Sequence, residues 1–329
     1  MRRYVLLSCL CAGIAVAQPQ GPAYDAELSN YPYPFPVMFH NVVSQGEGLR
    51  MAYVDMVPAS ANGKAVLLLH GKNFNAAYWE RTVRDLSAAG YRVIAPDQIG
   101  FGKSSKPSRY QFSFHQLAEN TRGLLAAVGV SRVSVVGHSM GGMLATRYAL
   151  MYPETTDKLV LVNPIGLEDY KAYVPYRSVD AWYADELRAT PESIRAYQQE
   201  NYFAGEWRPE YDALIDATAG WTRHGEFPRV AWCSALTYDM IFTQPVVYEF
   251  SNVTTPTMLI IGSRDRTAVG RAYAAPGNAE KLGDYGELGK KTARAIPGAK
   301  LVEIPGVGHL PQVEAYDIYY HALSAFLSE

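Results

Sequence analysis

The stretch Arg132-Val133-Ser134-Val135-Val136-Gly137-His138-Ser139-Met140-Gly141-Gly142-Met143 decides the fold. Its first half is a short apolar-biased run that suits a strand buried on both faces. The second half leads without an intervening loop into residues 143–151, whose spacing is helical. Gly137-His138-Ser139-Met140-Gly141 therefore places a G-x-S-x-G pattern at a strand-to-helix junction, the setting that pattern requires. The flanking glycines let the chain turn sharply enough to project the Ser139 hydroxyl. The amides that open the next helix face any negative charge developing there.

The alternation continues in both directions. Residues 40–44, 51–57, 65–69, 92–95, 158–162, 257–261 and 300–304 read as further strands. Residues 78–89 carry Trp79, Val83 and Leu86 at helical spacing and stop at Gly90, and residues 114–128 form a second amphipathic helix. Strand and helix repeated in this way predict an α/β fold, a mostly parallel central sheet with helices on both faces. Residues 169–250 break the alternation. They are helix-rich by pattern, inserted after the sixth strand, and hold 17 of the 40 aromatic residues and four of the five tryptophans. A helical cap over an apolar pocket has this composition. The expected organisation is thus a Pro-rich extended arm over 18–38, a core over 39–168 and 251–329, and a cap over 169–250.

A serine hydroxyl is a weak nucleophile and needs a base held in one tautomer by a carboxylate. Asp265 follows the strand 257–261 and His309 follows the strand 300–304, so both fall at carboxyl ends of parallel strands, where open α/β sheets build their sites. Asp284 and Glu287 are acidic alternatives to Asp265, but neither ends a strand. With the order Ser139, Asp265, His309, the chain from about residue 41 onward resembles the α/β-hydrolase fold family, lidded as in esterases, epoxide hydrolases and haloalkane dehalogenases. The resemblance implies that His70-Gly71-Lys72 is the turn after the third strand, and that the backbone N–H groups of Lys72 and Met140 form an oxyanion hole. The Lys72 ammonium is expected to reach solvent, with a substrate carboxylate as the alternative. His70 and His138 read as structural hydrogen bonders, and Asp97 as a packing residue of the 96–104 loop. Asn73, Trp182, Tyr238 and Phe242 are the expected pocket residues, and Gly205, Gly220 and Gly225 the candidate lid hinges.

Composition narrows the function. Thirty Lys and Arg against 32 Asp and Glu provide no electrostatic reason to bind nucleic acid or anionic lipid. The three cysteines make no disulfide framework, and His40, His115, His224 and His321 show no metal-ligand spacing. No metal and no organic cofactor is expected. Arg2 and Arg3 precede an apolar run from Tyr4 to Val16, and Ala15-Val16-Ala17 has the small residues of a cleavage site. That predicts a signal peptide over 1–17 and a secreted or periplasmic protein without a membrane span, in which Cys233 is the one remaining cysteine. The expected partner is a small apolar or aromatic ester, with no oligomeric state assigned. Ser139 argues against epoxide hydrolase and dehalogenase chemistry, for which the family uses aspartate. Prolyl aminopeptidase, lactonase, carbon–carbon bond hydrolase and cofactor-free haloperoxidase share the serine triad and stay open. So does a non-catalytic binding protein on the same scaffold.

Overall fold

The computed structural model describes residues 21–329, so the expected signal segment, with Cys9 and Cys11, lies outside the described residues. In chain order the elements are β1 (Met38–Ser44), β2 (Glu47–Met56), β3 (Ala65–Leu69), α1 (Glu80–Ala88), β4 (Arg92–Pro96), α2 (Phe114–Ala127), β5 (Val133–His138), α3 (Met140–Met151), β6 (Thr156–Val162), α4 (Val179–Glu186), α5 (Pro191–Phe203), α6 (Asp212–Thr222), α7 (Phe227–Thr243), β7 (Thr257–Gly262), α8 (Tyr285–Ala295), β8 (Lys300–Ile304), α9 (Pro311–Glu314) and α10 (Tyr316–Ser328). The strands form one sheet in the order β1-β2-β4-β3-β5-β6-β7-β8. β2 runs antiparallel to β1 and β4, and the six strands from β4 to β8 run parallel.

Successive strand residues point to opposite faces, and this sorts the core into two layers. Leu67, Leu69, Val135, Leu159, Leu161, Leu259 and Ile261 pack beneath α2, α3 and α8 with Leu124, Leu144 and Tyr285. Val66, Leu68, Val136, Val160, Val162 and Ile260 pack beneath α1 and α10 with Val83, Leu86, Tyr319 and Phe326. Burial on both faces explains why these strands read as continuous apolar runs.

α4 to α7 lie between β6 and β7 and make the helical cap. The described part of the arm ties this cap to the core. Tyr24, Ala26 and Leu28 pack with Ala217, Trp221 and Val230. The Tyr24 N–H donates to Gly220 O at 3.1 Å, and the Trp221 indole N–H donates to Asp25 O at 3.0 Å. At its other end the Tyr33 hydroxyl donates to Asp97 at 2.7 Å. The expectation that Gly220 is a hinge is therefore corrected. A Cβ there would stand 2.0 Å from the Tyr24 ring, so this glycine admits a close contact.

The glycine-rich insertion 266–290, which by sequence is a mobile rim or an ordered loop, runs into a helix. Residues 285–295 form α8, whose Gly289 lets the helix sit against Ile261 of β7, with a Cβ position 3.0 Å away. The remainder is organised by Arg271, whose guanidinium donates to the carbonyls of Arg266, Ala279 and Leu282. Among the described residues, no helix is long and apolar enough to cross a membrane.

Candidate active site

β5 ends at His138 and α3 begins at Met140, so Ser139 alone makes the turn. It does so at φ 55° and ψ −122°, a region that costs a non-glycine residue about 1–3 kcal/mol and persists only where the surroundings enforce it. The neighbouring glycines are required by space. A Cβ on Gly137 would lie 2.1 Å from Gly141 O, and one on Gly141 would lie 2.2 Å from Leu69 O. The strand and helix can meet this closely only without those side chains.

Ser139 is buried with its Oγ 3.0 Å from His309 Nε2. His309 Nδ1 stands 2.6 Å from Asp265 Oδ2. A carboxylate can only accept, so the Nδ1 proton points to Asp265, and Nε2 is left as the acceptor for the Ser139 hydroxyl. Asp265 is fully engaged. Asn163 Nδ2 donates to Oδ2 at 2.9 Å, and the Thr267 N–H donates to Oδ1 at 2.8 Å. Burial pushes this carboxyl up, but the neighbouring His309 and the hydrogen bonds from His309 and Thr267 outweigh it and hold the group below its ordinary range. It stays charged. Asp284 is placed elsewhere, facing Arg266 at 3.6 Å, and Glu287 pairs with Lys290.

The side chains around these three fix their positions. His138 lies behind the serine, its Nε2 2.8 Å from His309 O and its Nδ1 3.0 Å from the Tyr78 hydroxyl. Tyr78 in turn accepts from the Gly71 N–H at 3.3 Å. One buried chain of hydrogen bonds thus links the 70–72 turn, the serine turn and the His309 loop. Burial, with His309 adding to it, lowers the His138 pKa well below the usual histidine value, so its ring is neutral. His70 accepts from the Gln98 N–H at 3.0 Å, and Asp97 accepts from Ala76, Tyr33 and Lys103. Both do packing work, as the sequence implies.

The 70–72 turn runs alongside the serine, with a Cβ position on Gly71 only 3.1 Å from Ser139 Cβ. Among the described residues, neither the Lys72 nor the Met140 backbone N–H has a protein acceptor. Two donors, one of them at a helix N-terminus, are therefore free beside the hydroxyl. From the cap, the Tyr202 ring stacks on His309 with centroids 4.6 Å apart. Its hydroxyl accepts from Asn73 at 2.8 Å, and its carbonyl meets the His309 N–H at 3.4 Å.

A cavity of about 230 Å³ opens between the core and the cap. Of the four expected pocket residues, Asn73 and Tyr238 line it. Trp182 and Phe242 do not. Trp182 stacks behind Tyr238 at 4.4 Å, and Phe242 is buried in the core cluster beside Tyr176. The Lys72 side chain is a further correction. It turns into the cavity, where Nζ donates to Ser234 Oγ at 2.5 Å and lies 3.5 Å from the Tyr238 ring centroid. The aromatic cap offers the ammonium a π face that no inspection of the turn by itself reveals. Burial lowers its pKa to about 8, against the pull of Glu186 on the same cavity wall. Asn163, Tyr202 and Tyr78 were missed by sequence reasoning. Asn163-Pro164 directly after a buried strand was the signal that could have found the first.

The chain belongs to the alpha/beta hydrolase fold family, which matches it over residues 64–316. A probable hydrolytic enzyme from Pseudomonas aeruginosa PAO1 is similar in structure at a TM-score of 0.92 and is 56% identical, over 93% of this chain and 99% of that one. A thermophilic esterase from Thermogutta terrifontis superposes at a TM-score of 0.66 with 22% identity, over 88% of this chain and 98% of the other. Among curated proteins, a 2-hydroxy-6-oxo-6-phenylhexa-2,4-dienoate hydrolase of Burkholderia cepacia is 40% identical over 111 residues, 33% of this chain and 39% of that protein. The matched region thus spans about two fifths of that relative's length.

Proposed function

We propose that this protein is an exported serine hydrolase that cleaves a carboxylic ester through an acyl-enzyme. The observation that carries the reading is the unbroken line from Ser139 Oγ through His309 to Asp265, at 3.0 and 2.6 Å. His309 Nε2 takes the hydroxyl proton as Ser139 Oγ attacks the ester carbonyl. Charge that builds on the carbonyl oxygen is met by the Lys72 and Met140 amides. Collapse of that species breaks the bond to the alcohol, which leaves with the proton held by His309. Water then attacks the acyl-enzyme with His309 as base, releasing the acid and restoring Ser139. Every step uses groups of this chain, water and substrate.

Carbon–carbon bond hydrolysis is the second reading. It is supported by the curated relatives, 38–40% identical over about a third of the chain, that are named as hydrolases of 2-hydroxy-6-oxo dienoates. Hydrolysis of short, long and aromatic acyl nitrophenyl esters separates the two, with a vinylogous diketone acid in parallel. Ester turnover is expected to fall by on the order of 10³-fold or more in Ser139→Ala. Turnover that survives this substitution sinks the mechanism, and turnover of the diketone alone transfers it to the second reading. The basic, apolar and small-residue pattern of residues 2–17 supports export. Amino-terminal sequencing of protein recovered outside the cytoplasm is expected to start at Gln18, and a retained Met1 would overturn that part.

A further inference from the structure

The cavity reached from the 70–72 turn through Lys72 and Asn73 contains polar groups that the hydrolytic steps leave unused. Lys72 has three N–H donors. One meets Ser234 and a second faces the Tyr238 ring, which leaves a third toward the open space. Across the same cavity, α5 contributes Gln198, which is 1% exposed and has no partner for either its amide nitrogen or its amide oxygen. A buried amide left this way costs about 1–3 kcal/mol, and a bound ligand with polar oxygens would remove that cost. Glu186, Tyr197 and Tyr238 are the other titratable groups on the cavity wall. Burial raises Tyr197 to about 12 and Tyr238 well above its ordinary value, so both stay neutral. Glu186 makes no ion pair with Lys72 within bonding range among the described residues.

We infer that this cavity binds a carboxylate of the substrate, held by the Lys72 ammonium and the Gln198 amide, so that the preferred substrates are esters carrying a second, free acid group. This rests on the reading of Ser139 as an ester nucleophile. The linkage between the two halves is covalent: the Lys72 backbone N–H faces the reacting carbonyl, and its side chain faces the cavity. A carbonyl seated in the hole and a carboxylate on Nζ are therefore separated by about the reach of one lysine side chain, a short spacer. The remaining Gln198 oxygen suits a hydroxyl or amide N–H on that spacer. Glu186 opposes the anion, so it tunes the preference downward and also disfavours doubly charged groups.

The test measures kcat/KM for two pairs of esters at pH 7: para-nitrophenyl hydrogen glutarate against its methyl ester, and meta-butyryloxybenzoate against its methyl ester. The charged member of at least one pair is expected to be preferred by on the order of tenfold or more. In Lys72→Met that ratio should fall below one. In Gln198→Leu it should fall severalfold, and in Glu186→Gln it should rise. The ratio should also decline as the pH of the assay passes about 8, where Lys72 loses its proton. Each ratio is internal to one variant and is insensitive to the amount of folded protein. Calorimetric binding of glutarate to Ser139→Ala, with and without Lys72→Met, separates the two claims. Ester turnover with no charge preference in either pair overturns the inference while the proposed function stands. Lys72-dependent glutarate binding without turnover of any ester supports the inference and removes the ester reading. Absence of both removes both, and a ratio unchanged in Lys72→Met excludes the lysine as the anchor.

Discussion

At the residue scale, the site combines groups that suit chemistry better than stability. Ser139 holds a backbone conformation that a helix or strand residue avoids, and Lys72 is a half-buried cation whose pKa burial lowers. Because the folded pKa of Lys72, about 8, lies below the unfolded value of about 10.4, the unfolded chain holds this proton more tightly. The resulting destabilisation is complete below pH 8, shrinks as the pH rises from there to about 10.4, and is gone above it. Lys72→Met should therefore raise the melting temperature at pH 7, with a difference that fades toward pH 10.5; a lowered melting temperature at pH 7 would contradict this. Asn163 acts through another residue. It donates to Asp265 Oδ2, and its amide oxygen accepts from the Gly262 N–H at 2.7 Å, so it positions the acid. Asn163→Ala should lower kcat by about 10- to 100-fold with a smaller change in KM. Asn163→Asp, which replaces a donor with a second carboxylate beside Asp265, should be worse than alanine and should recover partly on acidification. A loss confined to KM would show that Asn163 contacts substrate instead.

At the element scale, approach distance governs how α3 meets the sheet. The first turn of α3 meets the carboxyl ends of β3 and β5 closely because Gly137 and Gly141 carry no side chain there. Gly141→Ala places a methyl 2.2 Å from Leu69 O and 2.7 Å from His70 O, which neither backbone can avoid. It should destabilise by about 3 kcal/mol and move the 70–72 turn away from Ser139. Chemical denaturation and ester turnover should both record it. Four of the parallel strands, β3, β5, β6 and β7, were legible because each is an apolar-biased run closed by Gly, Asn or His. α8 was not legible, since Gly286 and Gly289 lower helix propensity and the helix is held by packing on β7 instead. Patterns of single residues report burial on a face well and report which neighbour supplies that burial poorly.

At the scale of the whole molecule, the arm, cap and core are three layers joined by side chains far apart in sequence. Tyr24 packs edge-to-face on Tyr31 at 5.1 Å and meets Gly220 of the cap, while Tyr33 reaches Asp97 of the core. Tyr24→Ala should cost about 3 kcal/mol and speed amide exchange across α6 more than across β5 and β6. Equal acceleration everywhere would show that the arm stabilises the molecule without specifically holding the cap. The four tryptophans of the cap illustrate how far composition reaches. They announced an apolar cap, yet Trp182 supports the cavity wall from behind and Trp221 faces both the cavity and the arm.

The strands, the serine turn and the placing of Asp265 and His309 just after β7 and β8 are legible in the chain alone, because those depend on local alternation and on strand-terminal position. Where Lys72 points, which aromatic residues line the cavity and what holds Asp265 in place come from the folded chain. These follow from contacts between residues tens to hundreds of positions apart, such as Lys72 with Ser234 and Asn163 with Asp265. Such contacts leave no periodic trace in the chain, since nothing in the local pattern records which distant surface a side chain meets.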